Sequence, residues 1–214
     1  SLAKNEKRTI EKNVKYIFTF EDLKRRLILS HRNFFFKPTY KFYDLCERDI
    51  QEAVNKILEH CDLKNIYVRI THERLVPSRD LKCLGQYSTE VPGLTYILSP
   101  SHYTIFVSKQ YSSETKGAVL AHEIAHIYAI AKNIAFKTKS DRKTEFIEQM
   151  TDLLAICLGL GKLMIRGNTY SFVKDDKEFF GSLGYLKGDI LTYAQCFLEY
   201  KLLNQEIIEI KKVS

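Results

Sequence analysis

The sequence predicts an α+β fold: a helical N-terminal extension, then a small, mostly antiparallel sheet, then core helices. Three observations carry this expectation. In residues 40–61 the apolar side chains Tyr43, Cys46, Ile50, Ala53, Val54, Ile57, Leu58 and Cys61 recur at three- and four-residue steps, the signature of one amphipathic helix. Directly afterwards Ile66, Val68 and Ile70 alternate with Tyr67 and Arg69, the two-residue period of a half-buried strand. From Ser112 onward helix-forming segments with capping residues return.

The elements follow in order. Residues 4–30 read as helix, interrupted by the β-favouring stretch 16–20 (Tyr16, Ile17, Phe18, Thr19, Phe20). After the strand at 66–70, two more are expected at residues 83–88 and 95–107, the second broken by Pro100, with Val91, Pro92 and Gly93 supplying the turn between them. Ser112 or Ser113 caps a helix that has Glu114 in its first turn and runs to about Lys132. Ser140 or Asp141 caps the next, which carries Phe146, Ile147, Met150, Leu153, Leu154 and Cys157 and stops at Gly159 and Gly161. A last helix spans residues 188–203. The chain divides into a basic helical extension, 1–62, and a domain holding the sheet and remaining helices, 63–214.

With 45% apolar residues in 214, the chain can close a substantial core. Its longest apolar run, 153–165, is shorter than the roughly 20 residues of a bilayer crossing and contains Lys162, so no membrane span is expected. The opening residues are polar and lack the apolar centre of a secretory signal. Five cysteines, at 46, 61, 83, 157 and 196, form no CxxC pair, and an odd number cannot all pair within one chain. Reduced thiols and a cytoplasmic location follow as expectations. The formal charge is +7, and much of the excess lies in the first 41 residues, including Lys24, Arg25 and Arg26. An acidic partner or nucleic acid would suit that surface; a solvated face is the plainer expectation, because Glu6, Glu11, Glu21 and Asp22 are interspersed.

The segment His122-Glu123-Ile124-Ala125-His126 carries the chemistry. Histidines four apart on a helix project from one face, about one turn apart, so one metal ion can take both. Neutral imidazole suits Zn²⁺, and a catalytic site takes three protein ligands and leaves a position for water, whose proton Glu123 is placed to accept. One zinc per chain is therefore expected. No histidine follows His126, so the third ligand must be of another kind. The next helix offers Glu145 and Glu148; Glu148 heads the string Glu148-Gln149-Met150-Thr151-Asp152, which puts Asp152 one turn on and on the same face. A carboxylate there can accept the other ring N–H of His122 and fix its tautomer.

This pattern resembles that of the gluzincin metallopeptidases, in which HExxH is followed some twenty or more residues later by ExxSD, ExxAD or a relative. Glu148 to Asp152 looks like the second element, with Thr151 at its small-residue position. The short spacing resembles the minimal gluzincins, including the ImmA/IrrE-like peptidases, over about residues 65–165. After Asp152 the run Ala155-Ile156-Cys157-Leu158-Gly159 differs from the leucine-methionine-proline ending of that group. The resemblance implies a zincin-like core and a zinc-dependent peptidase acting on a protein or peptide substrate. Its ligands would be His122, His126 and Glu148, its base Glu123, and its substrate-pairing edge strand Ile105, Phe106 and Val107.

Such a reaction also needs a donor for the developing oxyanion. Tyr185, which follows Gly181 and Gly184, is the first candidate, ahead of Tyr170 and Tyr193; His102 and Cys83 are others near the sheet. Two rival expectations are a zinc-binding sensor without turnover, and a nucleic-acid binder acting through residues 1–62.

Overall fold

The computed structural model describes residues 2–29, 33–75, 82–83, 92–136, 143–174 and 177–203. Helix α1 (Lys4–Ile17) buries Ile10, Val14 and Ile17, and after a short turn α2 (Glu21–Leu29) begins. The β-favouring residues 16–20 form no strand. Ile17 and Phe18 are buried in the core where α1 ends, so tertiary packing overrides their intrinsic preference.

Residues 40–61 form two helices, not the single one expected: α3 (Tyr40–Arg48) and α4 (Ile50–His60). Asp49 divides them. Its backbone leaves the helical region (φ −146°, ψ 69°) and its carboxylate accepts a hydrogen bond from the Glu52 N–H, starting α4 with a cap. The apolar stripe runs on across the break, with Phe42, Tyr43 and Cys46 buried before it and Ala53, Val54, Ile57 and Leu58 after it.

Strands β1 (Tyr67–Thr71), β2 (Lys82–Cys83), β3 (Gly93–Ser99) and β4 (His102–Val107) form a sheet ordered β1-β4-β3-β2. The break at Pro100 makes β3 and β4 an antiparallel hairpin, β2 is antiparallel to β3, and β1 is parallel to β4. The rest of the strand expected through Ser88, and Val91 of the expected turn, lie outside the described residues. Ile105, Phe106 and Val107 are not an edge, which corrects that expectation. β4 lies between β1 and β3, and Ile105 is paired with Ile70 on one side and Thr95 on the other. On the outer side of β1, the Gln51 side chain of α4 donates to the Val68 carbonyl (2.8 Å) and accepts from the Ile70 N–H (3.1 Å).

Helix α5 (Ser113–Ala131) begins where expected, with Ser112 Oγ accepting from the Thr115 N–H (3.3 Å). It is buried on nearly every side from Thr115 to Tyr128, as a helix apolar all round must be. It packs against β3, β4, α3, α4, α6 and α7. Helix α6 spans Lys143–Ala155; the expected caps Ser140 and Asp141 lie outside the described residues. The helical run breaks at Gly159, as expected: in the turn Ile156–Leu160 that residue leaves the helical region at φ 83°, and after the kink α7 (Gly161–Arg166) begins.

The carbonyls freed by this turn are taken by the N-terminal part: Gly159 O by Phe36 N–H (2.9 Å) and Leu158 O by His60 Nε2 (3.0 Å). A hairpin that the sequence reading did not anticipate, β5 (Thr169–Lys174) with β6 (Lys177–Ser182), precedes α8 (Gly188–Leu203). One apolar core takes in residues from α1 through α8, with α1 packed on α6 and α8. Among the described residues no helix is long and apolar enough to cross a membrane.

Candidate metal centre

Helices α5 and α6 lie side by side, and the four-residue spacing on each brings four side chains to one point. His122 Nε2 and His126 Nε2 are 3.1 Å apart, and Glu148 Oε2 lies 3.2 Å from the first and 3.1 Å from the second. His126 and Glu148 are buried, and His122 is nearly so.

The hydrogen bonds around this cluster fix which atoms carry protons. His122 Nδ1 lies 2.8 Å from Asp152 Oδ1, so it donates there and leaves Nε2 with a lone pair when the ring is neutral. His126 Nδ1 faces Thr151 Oγ (3.5 Å), whose own proton goes to the Ile147 carbonyl (2.9 Å). Both Nε2 atoms and the carboxylate oxygen are therefore acceptors pointed at one another. Such a group needs a cation or shared protons between its members.

Burial opposes charging His122, yet hydrogen bonds to Asp152 and Glu148, and the charges of Asp152 and Glu123, raise its pKa well above the ordinary 6.5. Burial likewise disfavours the Glu148 carboxylate, but its bonds to His122 and His126 prevail and lower its pKa to about 2. A metal ion fits the same place. Donors held about 2.0–2.1 Å from a tetrahedral zinc are roughly 3.3 Å apart, close to the separations seen here. Among the described residues His122, His126 and Glu148 are the one group of this kind.

Asp152 is fully buried and uses both oxygens. Oδ1 holds His122, while Oδ2 accepts the backbone N–H groups of Tyr185 (2.8 Å) and Leu186 (2.9 Å). The loop before α8 is thereby tied to the histidine. Gly184 makes this possible: its φ is +76°, and a Cβ there would lie 2.8 Å from Asp152 Oδ2.

The other expected residues separate clearly. Glu123 is buried beside the histidines, and its Oε2 accepts from the hydroxyl of Thr95 on β3 (2.7 Å). Tyr185 lines the same cavity, of about 90 Å³, between β3, α5 and the 183–185 loop, whose apolar wall includes Leu94, Val119, Met164 and Leu183. Burial and then the charges of Glu148, Asp152 and Glu123 raise its phenol pKa. Tyr170 packs on the ring of Tyr111 and Tyr193 donates to Glu11, both committed elsewhere. Glu145 is exposed on α6, and His102 is on the sheet surface, its Nδ1 beside the hydroxyls of Ser99 and Ser101. Cys83 falls in β2, opposite Tyr96.

Thr95 is a site residue that the sequence reading did not find, and no motif marks it: a threonine in a strand is ordinary until the fold places it against Glu123. No protein-family model, curated protein or solved structure matches this chain.

Proposed function

We propose that this chain is a zinc-dependent metallopeptidase of the gluzincin type, with a zincin-like core, that hydrolyses peptide bonds of a protein substrate in the cytoplasm. The observation that supports it is the convergence of His122 Nε2, His126 Nε2 and Glu148 Oε2 within 3.2 Å of one another, with Glu123 beside them in an open cavity. These three would hold the ion, and when bound it would supply Lewis-acid chemistry, activating water and polarising the scissile carbonyl.

The chain's own groups do the rest. Glu123 accepts the proton of the attacking water on Oε1, the oxygen not engaged by Thr95, and returns it to the leaving amine. Asp152 keeps the proton of His122 on Nδ1, so that Nε2 offers its lone pair to the metal. Tyr185, with its backbone fixed by Asp152, is the candidate donor to the oxyanion. Buried, unpaired thiols at Cys46, Cys61 and Cys157 suit a reducing compartment.

The test is zinc analysis together with hydrolysis of fluorescein-labelled casein. The wild-type chain should carry about one zinc and cleave. Glu123→Gln should keep its zinc while losing about 100- to 10,000-fold in turnover. A protein that takes up no zinc overturns the reading; one that binds zinc and cleaves nothing favours the sensor.

One observation favours a second reading, nucleic-acid binding by the N-terminal part. Lys4, Arg8, Lys12 and Lys15 form an exposed stripe along one face of α1, while the helix's acidic residues are engaged elsewhere: Glu6 accepts from the Ala3 N–H and Glu11 from Tyr193. If all four contact phosphates, log K for a DNA duplex should fall with log salt at a slope of about −3.6.

A further inference from the structure

Strand β3 presents Gly93, Thr95 and Ile97 to one face, by the two-residue period of a strand. That face meets α5. A Cβ at Gly93 would lie 2.3 Å from Val119 Cγ1 and 3.2 Å from Glu123 Oε1, so the strand runs close against the helix. Inward positions paired with it on β4 are apolar: Ile105 stands opposite Thr95, and Val107 opposite Gly93. A threonine with no exposed surface at such a place needs a partner for its hydroxyl, and it has one in Glu123 Oε2.

We propose that Thr95 is the positioning residue for Glu123, anchoring Oε2 so that Oε1 stays turned to the reacting water. This rests on the hydrolytic reading of the site. A glutamate side chain has several rotatable bonds, and a single short hydrogen bond to one oxygen removes most of that freedom where the proton must be taken. Thr95 does not touch the metal ligands, so its loss acts on the catalytic step and leaves metal and substrate binding in place.

Three substitutions test it: Thr95→Val, which keeps the shape and removes the donor; Thr95→Ser, which keeps the donor; and Glu123→Gln, alone and combined with Thr95→Val. On fluorescein-labelled casein, Thr95→Val should lower kcat about tenfold or more, the worth of a hydrogen bond to a charged group, with KM within about twofold. Thr95→Ser should restore most of the rate, and all three should retain zinc. Independently of activity, the melting-temperature shifts of Thr95→Val and Glu123→Gln should be non-additive, as for residues in direct contact.

An unchanged or raised kcat in zinc-loaded Thr95→Val, or additive melting shifts, overturns the proposal. If the wild-type protein binds zinc but does not cleave casein, the hydrolytic reading falls by itself. The melting cycle then decides whether Thr95 holds Glu123.

Discussion

Two histidines that contact the same helical stretch, one at Asp152 and one at Leu158, make an instructive pair. His122 and His60 are both largely enclosed and both hydrogen-bonded through a ring nitrogen. Their surroundings nevertheless drive protonation in opposite directions. Around His60, burial and then the charge of Arg26 outweigh the backbone carbonyl acceptors and lower its pKa to about 4. Around His122, carboxylates overcome the same burial. A neutral carbonyl makes a packing histidine, whereas a charged carboxylate on one ring nitrogen and acceptors around the other make a cation site. Burial alone does not separate them.

The largest effect expected from breaking this contrast is loss of the metal. His126→Ala and Glu148→Ala should fall from about one zinc per chain to none, while His60→Ala and Glu145→Ala keep it, measured by metal analysis after dialysis. Retention in Glu148→Ala would move the third ligand elsewhere.

Acid separates the pair next. With a folded pKa of about 4 against 6.5 in the unfolded chain, His60 takes its proton first in the unfolded state. Its contribution to stability is thus complete above pH 6.5 and lost as pH falls towards 4, by about 3 kcal/mol. In zinc-free protein His122 has the opposite sign: its pairing is fully present below 6.5 and is lost as pH rises through its raised value. Denaturant melts of zinc-free wild type and His60→Gln across this range should diverge below pH 6.5, and parallel curves would remove the assigned role of His60.

A smaller effect should follow Asp152→Asn, which keeps the shape but weakens the hold on His122 Nδ1. Zinc affinity should drop about 10- to 100-fold in a competition titration with a chelator. Smallest in metal terms are the two glycines. Gly159→Ala and Gly184→Ala each force a side chain into the left-handed region, at a cost of at least about 1–2 kcal/mol. Only Gly184→Ala, whose Cβ would meet Asp152, should also weaken zinc binding; the Cβ of Gly159 would meet the Phe34 carbonyl.

The donor cluster was legible because its information is local. A four-residue step in His122/His126 and again in Glu148/Asp152 survives any tertiary arrangement, so the faces could be read before the helices were placed. The start of the last helix and the break at Pro100 were legible for the same reason. What escaped depended on neighbours or on signals too brief for periodicity. The cap at Asp49 is one residue inside an unbroken apolar stripe. β5 and β6 meet without an Asn-Gly or Asp-Gly turn to announce them. The central place of β4 follows from a parallel partner, β1, that joins it from far upstream, and strand order is not written in the alternation of a single strand. Thr95 gains its meaning from a helix 28 residues away.

Gln51 has a consequence for how copies of this chain behave in a crowd. An outer strand with bare N–H and C=O groups is a template on which another molecule can lay its own strand, the first step towards ordered aggregates. By meeting Val68 O and Ile70 N with one side-chain amide, Gln51 takes two of those docking points on β1. The outer edge of the sheet at β1 is thereby blunted as a template for a second copy of the chain.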